Sequence, residues 1–281
     1  MRKILIPIDF SENAINAVKY AIGLFKYDIS EFFIMNAFAD EVYENTLEMS
    51  RPFFEEYQEK VKEATDRALQ KIVVEMMKIS SNPKHDYKYV SVFKSLVDAA
   101  NDIADKEDID IIVMGTKGKT DNREITFGSQ TLQVVKYVKC PVLMVPQGFH
   151  NSLPKNILFA TDYLIPYKRR ELKLVSMLAK SFGVRLNFLH MTRSKNSTHR
   201  QLDNRAFLEG CTKENLVAFF NVEGDSIELE VKKFIETNGV NLLVMVNSRH
   251  SYMESLLETS AIETLGLQIN IPFLVLQNLP R

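Results

Sequence analysis

Cysteine is nearly absent from this chain: Cys140 and Cys211 are the two in 281 residues, far apart in sequence. That excludes a disulfide framework and a CxxC zinc site, and it points to a reducing compartment, the cytoplasm. An excess of either charge is lacking too. With 35 basic and 36 acidic side chains the formal net charge is -1, so neither nucleic acid nor an anionic membrane is expected as a partner. No apolar run approaches the about 20 residues of a membrane span. The opening "MRKILIPIDFSEN" is too short in its apolar run for a secretory leader, and Asp9 and Glu12 interrupt it. Glycine is scarce, at 10 residues, yet Gly115, Gly118 and Gly128 fall within one stretch, "GTKGKTDNREITFGSQT".

What is present is a repeat. "KILIPIDF" (Lys3 to Phe10) returns as "NILFATDY" (Asn156 to Tyr163), which sets Asp9 against Asp162, 153 residues later. "DIIVMG" matches "NLLVMV" and "CPVLMVP" matches "IPFLVLQ", both 131 residues later. Two copies of one unit follow, residues 1–149 and 150–281, with the polar stretch Gln147 to Pro154 as the linker. The change of offset places a deletion of about 22 residues in the second copy, after its second strand, on the segment that carries a long helix in the first. The polar "TRSKNSTHRQLDNRAFLEG" that stands there reads as a loop with a short helix.

Within the first copy, "KILIPI", "EFFIMNAF", "YKYVSVF", "IDIIVMG" and "PVLMVP" are apolar on consecutive residues, as strands of a parallel sheet covered on both faces are. Between them run helical patterns. Ala14, Val18, Ala21, Ile22 and Phe25 share a face after a Ser11 cap; Leu96, Ala100, Ile103 and Ala104 do so after a capping-box "SLVD" from Ser95; residues 51–79 form a long helix with Phe54, Tyr57, Val61, Ala64, Ala68 and Ile72 on one side. Strand and helix in alternation predict an α/β fold, two tandem doubly wound domains, each with a five-stranded, mainly parallel sheet and helices on both faces.

The glycine segment is neither of the familiar phosphate loops. GxxxxGK[ST] requires glycine where Val113 stands, and GxGxxG is absent. What remains is Gly115-x2-Gly118-x9-Gly128-Ser129, from a strand's C-terminal end to the start of a helix. Gly115 and Gly118 permit close backbone approach and positive φ, so amides can face anionic oxygens. Gly128 and Ser129 stand at a helix N-terminus, where free N–H groups and the helix dipole attract phosphate, and Lys117 and Lys119 can add countercharge. Asp9 ends the first strand on the same edge, where doubly wound sheets bind ligands. It is also placed to cap the first helix.

In these features the chain resembles the universal stress proteins, in a tandem two-copy form. The resemblance rests on the Gly-x2-Gly-x9-Gly-Ser spacing, the opening "ILIPIDFSE", "DIIVMG" leading into the motif, and the closing "CPVLMVP". It implies a Rossmann-like fold of the adenine nucleotide alpha-hydrolase type and binding of ATP, with or without magnesium. It also implies a nucleotide site in the first copy at Asp9, Ala37, Gly115, Gly118, Gly128 and Ser129, flanked by Met114, Lys117, Gln130 and Thr131. The second copy departs at each glycine, with Val246, Arg249 and Thr259 in those places and Ser260 against Ser129. The closing strands resemble the family's dimerisation strand, so an internal pseudo-dimer is expected; homodimerisation of whole chains stays open.

Two rivals stand beside this nucleotide-dependent regulatory protein. An ATPase or autophosphorylating enzyme would need a base and a metal-holding carboxylate, and Asp9 is the one carboxylate that the sequence places well. A ligand-free interaction scaffold would need neither. Asp162, His190, His250 and Cys211 are zinc-ligand types in the second copy, but their spacing matches no compact zinc motif, and no metal site is assigned.

Overall fold

The computed structural model describes residues 1–47, 50–117, 128–150, 153–164, 166–192, 197–223, 227–247 and 270–278. The first copy runs β1 (Arg2–Pro7), α1 (Glu12–Leu24), β2 (Ser30–Ala37), α2 (Ala39–Thr46), α3 (Arg51–Ile79), β3 (His85–Val92), α4 (Leu96–Glu107), β4 (Ile111–Gly115), α5 (Ser129–Tyr137) and β5 (Val142–Val145). The second runs β6 (Asn156–Thr161), α6 (Arg169–Phe182), β7 (Arg185–Thr192), α7 (His199–Thr212), β8 (Val217–Glu223), α8 (Ile227–Asn238), β9 (Leu242–Asn247) and β10 (Phe273–Gln277).

Among the described residues ten strands join one sheet in the order β3-β2-β1-β4-β5-β10-β9-β6-β7-β8. Inside each copy every pairing is parallel, as consecutive apolar residues require when both faces are covered. The join is different. Met144, Leu143 and Val142 of β5 lie antiparallel to Phe273, Leu274 and Val275 of β10, all six buried. Apolar side chains form one core on each sheet face. α1, α3, α6 and α7 contribute to the first; α4, α5 and α8 contribute to the second.

The local signals work as read at several ends. Ser11 accepts from the Ala14 N–H and caps α1, and Ser95 accepts from the Asp98 N–H and caps α4. The long helix spans Arg51–Ile79, but its buried stripe is Val61, Thr65, Leu69, Ile72, Val73 and Met76, with Ala64 exposed. Phe54 and Tyr57 pack with Phe38, Val42, Val61 and Phe93 in a small separate cluster, whereas Phe53 faces solvent. The polar segment of the second copy holds more helix than expected. α7 has 14 residues, because Thr198 and Gln201 form a reciprocal capping box that starts it firmly. β8, an edge strand with no fully buried residue, follows it.

Candidate functional site

In the first copy the strand order turns back at β1: β2 lies on one side of it and β4 on the other, while the connecting helices α1 and α5 leave in different directions. The crevice beyond the carboxyl ends of two such strands is where a doubly wound sheet leaves room for a ligand. Asp9 follows β1, Ala37 ends β2, Gly115 ends β4, and Gly128 with Ser129 opens α5. The topology therefore gathers five of the expected residues on one edge. Asp9 and Ala37 are half-buried, and Ser129 and Gln130 are exposed. Gly118, with Lys119, lies outside the described residues.

Asp9 does not cap α1. Its Oδ1 accepts from the Ser11 N–H at 3.0 Å, closing a tight turn just before the cap, and Ser11 does the capping. Phe10, inside that turn, has φ 63°, a left-handed conformation that costs a non-glycine residue about 1 kcal/mol. The side chain of Phe10 packs on the core, which helps to hold it there.

Gly115 owes its identity to packing rather than to backbone freedom. Among the described residues the glycines at positive φ are Gly148, Gly183 and Gly239; Gly115 is an extended strand residue. A Cβ on it would stand 2.5 Å from Asn13 Nδ2 and 3.0 Å from Asn13 Cγ. Asn13, on the first turn of α1, leans into that space and donates to the Lys117 carbonyl at 3.1 Å. Its Oδ1 is buried without a hydrogen-bond partner, in a residue 7% exposed. A buried acceptor left unpaired costs about 1–3 kcal/mol. Asn13 is the residue of this edge that the motif did not reveal, since an asparagine in a helix's first turn reads as ordinary end chemistry.

The far side of the loop is tied as well. The Gly128 N–H donates to the Thr116 carbonyl at 2.8 Å, so it is not the free amide that the spacing suggested. Gly128 is the N-cap of α5, at φ -66°, and brings no side chain to the helix start. Among the described residues the first N–H groups of α5 thus receive no side-chain cap. Thr131 is buried and its hydroxyl donates to the Gly115 carbonyl at 3.2 Å, joining α5 to β4. Met114 points into the core on the sheet face that α4 and α5 cover.

The second copy repeats the aspartate turn and closes what surrounds it. Asp162 Oδ1 accepts from the Leu164 N–H at 2.8 Å, and Tyr163 has φ 57°. From α7, Gln201 donates to the Asp162 carbonyl at 3.0 Å and Asn204 to the Tyr163 carbonyl at 2.7 Å. Sheet register sets the second strand one residue further along than the offset of the first strand. Pro7 pairs with Met35, but Ala160 pairs with Leu189, so Met191 stands at the place of Ala37 and His190 at the place of Asn36. Met191 is buried, and His190 stacks on the Tyr163 ring at 4.6 Å. Burial pushes the Asp162 carboxyl up and the His190 imidazole down from their ordinary values. His250 and Ser260 lie outside the described residues. Among the described residues no three of His, Cys, Asp and Glu are grouped as a metal site, and no helix is long and apolar enough to cross a membrane.

Two doubly wound α/β units joined edge to edge, one with Gly115 and Gly128 at its switch point, define a tandem Rossmann-like protein. Within that class the chain belongs to the universal stress protein family, whose model matches residues 1–146. It is similar to two curated proteins of Methanocaldococcus jannaschii. Universal stress protein MJ0531 is 30% identical over 156 residues, 51% of this chain and 81% of that protein. Universal stress protein MJ0577 is 31% identical over 157 residues, 51% and 94% respectively. Among solved structures, a universal stress protein from Archaeoglobus fulgidus DSM 4304 is similar across both copies, with a TM-score of 0.68 over 98% of this chain and 96% of that one, at 19% identity.

Proposed function

We propose that this chain is a cytoplasmic, ATP-binding regulatory protein of the stress response, with one nucleotide site, in its first copy. The observation that carries the reading is the convergence of Asp9, Ala37, Gly115, Gly128 and Ser129 at the β1–β4 switch point. The residues present fit a nucleotide there. The start of α5 lacks a side-chain cap and suits phosphate, and the unpaired buried Oδ1 of Asn13 awaits a donor such as a hydroxyl or amino group. Ser129 and Gln130 would meet phosphate from the helix start, and Lys117 would add charge. Asp9, just after β1, and Ala37, at the end of β2, would face the nucleoside. Asp9 could also receive magnesium that arrives with the phosphates, since that ion keeps most of its ligands as water and phosphate oxygen.

Binding rather than turnover is the proposed activity: turnover would need a base as well as a metal-holding carboxylate, and Asp9 is the one carboxylate that the sequence places well at this edge. The second copy serves as the fixed partner of the first, so one polypeptide takes the form of a dimer of single-copy units through β5 and β10. The test is a calorimetric titration of the full chain with ATP, alongside mass spectrometry of any small molecule that copurifies. About one adenine nucleotide per chain is expected; two equivalent sites, or none, would refute the reading.

A further inference from the structure

The C-terminal end of α5 is gripped by the other copy. Val135 belongs to the last turn, whose carbonyls have no partner within a helix. Its oxygen accepts from Gln277 Nε2 at 2.8 Å and from Asn247 Nδ2 at 3.2 Å, and Asn247 Nδ2 also donates to Gln277 Oε1 at 2.9 Å. Gln277 is fully buried at the end of β10, and Asn247 is half-buried at the end of β9. An amide sunk this deep is costly unless it is paired, so these two side chains are matched to the one carbonyl. The first copy has no such amides at the matching places. Their counterparts in the first copy, 131 residues earlier, are Thr116 and Pro146, which carry no side-chain amide.

The helix held in this way is the one whose other end opens at Gly128 and Ser129. α5 has nine residues, a rod of about 13 Å, so freedom at one end is felt at the other. Asn101 of α4 also donates to the Tyr137 carbonyl at 3.3 Å from an exposed position, and the bond of Thr131 to Gly115, in the first turn, acts as a pivot. We propose that Asn247 and Gln277 are positioning residues for the nucleotide site: the second copy holds α5 by its C-terminal end and thereby sets its N-terminal amides against the end of β4. The inference rests on the nucleotide reading above. It assigns the copy with the degenerate motif a part in the site it does not contain.

The selective consequence concerns phosphate. Asp9 follows β1 and Ala37 ends β2, so neither depends on α5, whereas contacts at Ser129 do. In the full chain, Gln277→Met keeps the bulk and removes the donor; Asn247→Ala, at a less buried position, gives the same information should the first variant fail to fold. ATP affinity should weaken roughly fivefold, the worth of about one hydrogen bond, with adenosine affinity unchanged. Equal weakening of both ligands, the mark of general destabilisation, overturns the proposal, as does unchanged ATP affinity. A wild-type chain that binds neither ligand overturns the nucleotide reading itself, and this inference with it.

Discussion

The two copies share their aspartate turn and differ in what surrounds it, and this makes the second copy an internal control on the first. Asp9 and Asp162 each accept from the N–H two residues on, and Phe10 and Tyr163 each take positive φ. A feature that persists where the glycines are gone is needed to carry a strand into its helix, and it is not by itself a sign of a ligand. The differences are more telling. Ala37 becomes Met191, Asn13 becomes Pro166, and Gly115 becomes Val246. Every change enlarges an apolar group or removes a polar one, and α7 then places Gln201 and Asn204 over the turn. The second copy has filled its edge with its own side chains.

The sharpest way to break the comparison is to copy one of those changes into the first half. Ala37→Met puts a side chain where the nucleoside is proposed to lie, at a half-buried strand end that can tolerate it. ATP affinity by calorimetry should fall about a hundredfold, close to 2.7 kcal/mol, with the thermal midpoint little changed. Affinity within twofold of wild type would show that Ala37 does not line the site.

A smaller effect separates packing from binding at Gly115. Gly115→Ala forces Asn13 aside and sacrifices its hydrogen bond to Lys117, so it should cost about 1–2 kcal/mol in denaturant titration. With Asn13→Ala already present, the same change should cost little, a coupling of about 1 kcal/mol between the two positions. Additive losses would mean that Asn13 is not the reason for this glycine. Gly115 is therefore a poor probe of phosphate binding, since its replacement disturbs the fold first.

These cases also show where sequence reading stops. The strands were legible because each is a short apolar run, and the repeat because "KILIPIDF" and "NILFATDY" keep both their pattern and their aspartate. The caps at Ser11 and Ser95 follow from local hydrogen bonding and could be read directly. Register could not. Met191 replaces Ala37 only because β7 pairs one residue out of step with the offset of β6, and pairing is a tertiary property. The reason for Gly115 was hidden likewise, since Asn13 lies 102 positions away in sequence and meets it through the packing of α1 on β4. α7 was underestimated because its amphipathic pattern is weak and its stability comes from its cap and from contacts made by Leu208 and Phe207.

The smallest expected effect tests whether the filled edge of the second copy has a cost of its own. His190 is 4% exposed, with Nδ1 donating to Asn221 Oδ1 at 3.3 Å and its ring against Tyr163; Asp162 and Arg205 are the charged groups around it. Burial holds its pKa below the ordinary 6.5, and the attraction of Asp162 does not make up the difference. The unfolded chain therefore takes up the proton more readily than the folded one, and stability is lost as the pH falls below about 6.5. Asp162 works in the other direction. Its pKa is raised by burial, so its contribution is fully present below the ordinary carboxylate value and is lost as the pH rises. His190→Asn installs the residue type that Asn36 supplies at the matching register and removes only the imidazole from this balance. Denaturation midpoints followed from about pH 7 to about pH 5 should decline less steeply for the variant than for the wild type. Parallel curves would mean that the imidazole can be protonated in place, and that the second copy's edge is more open to water than its packing indicates.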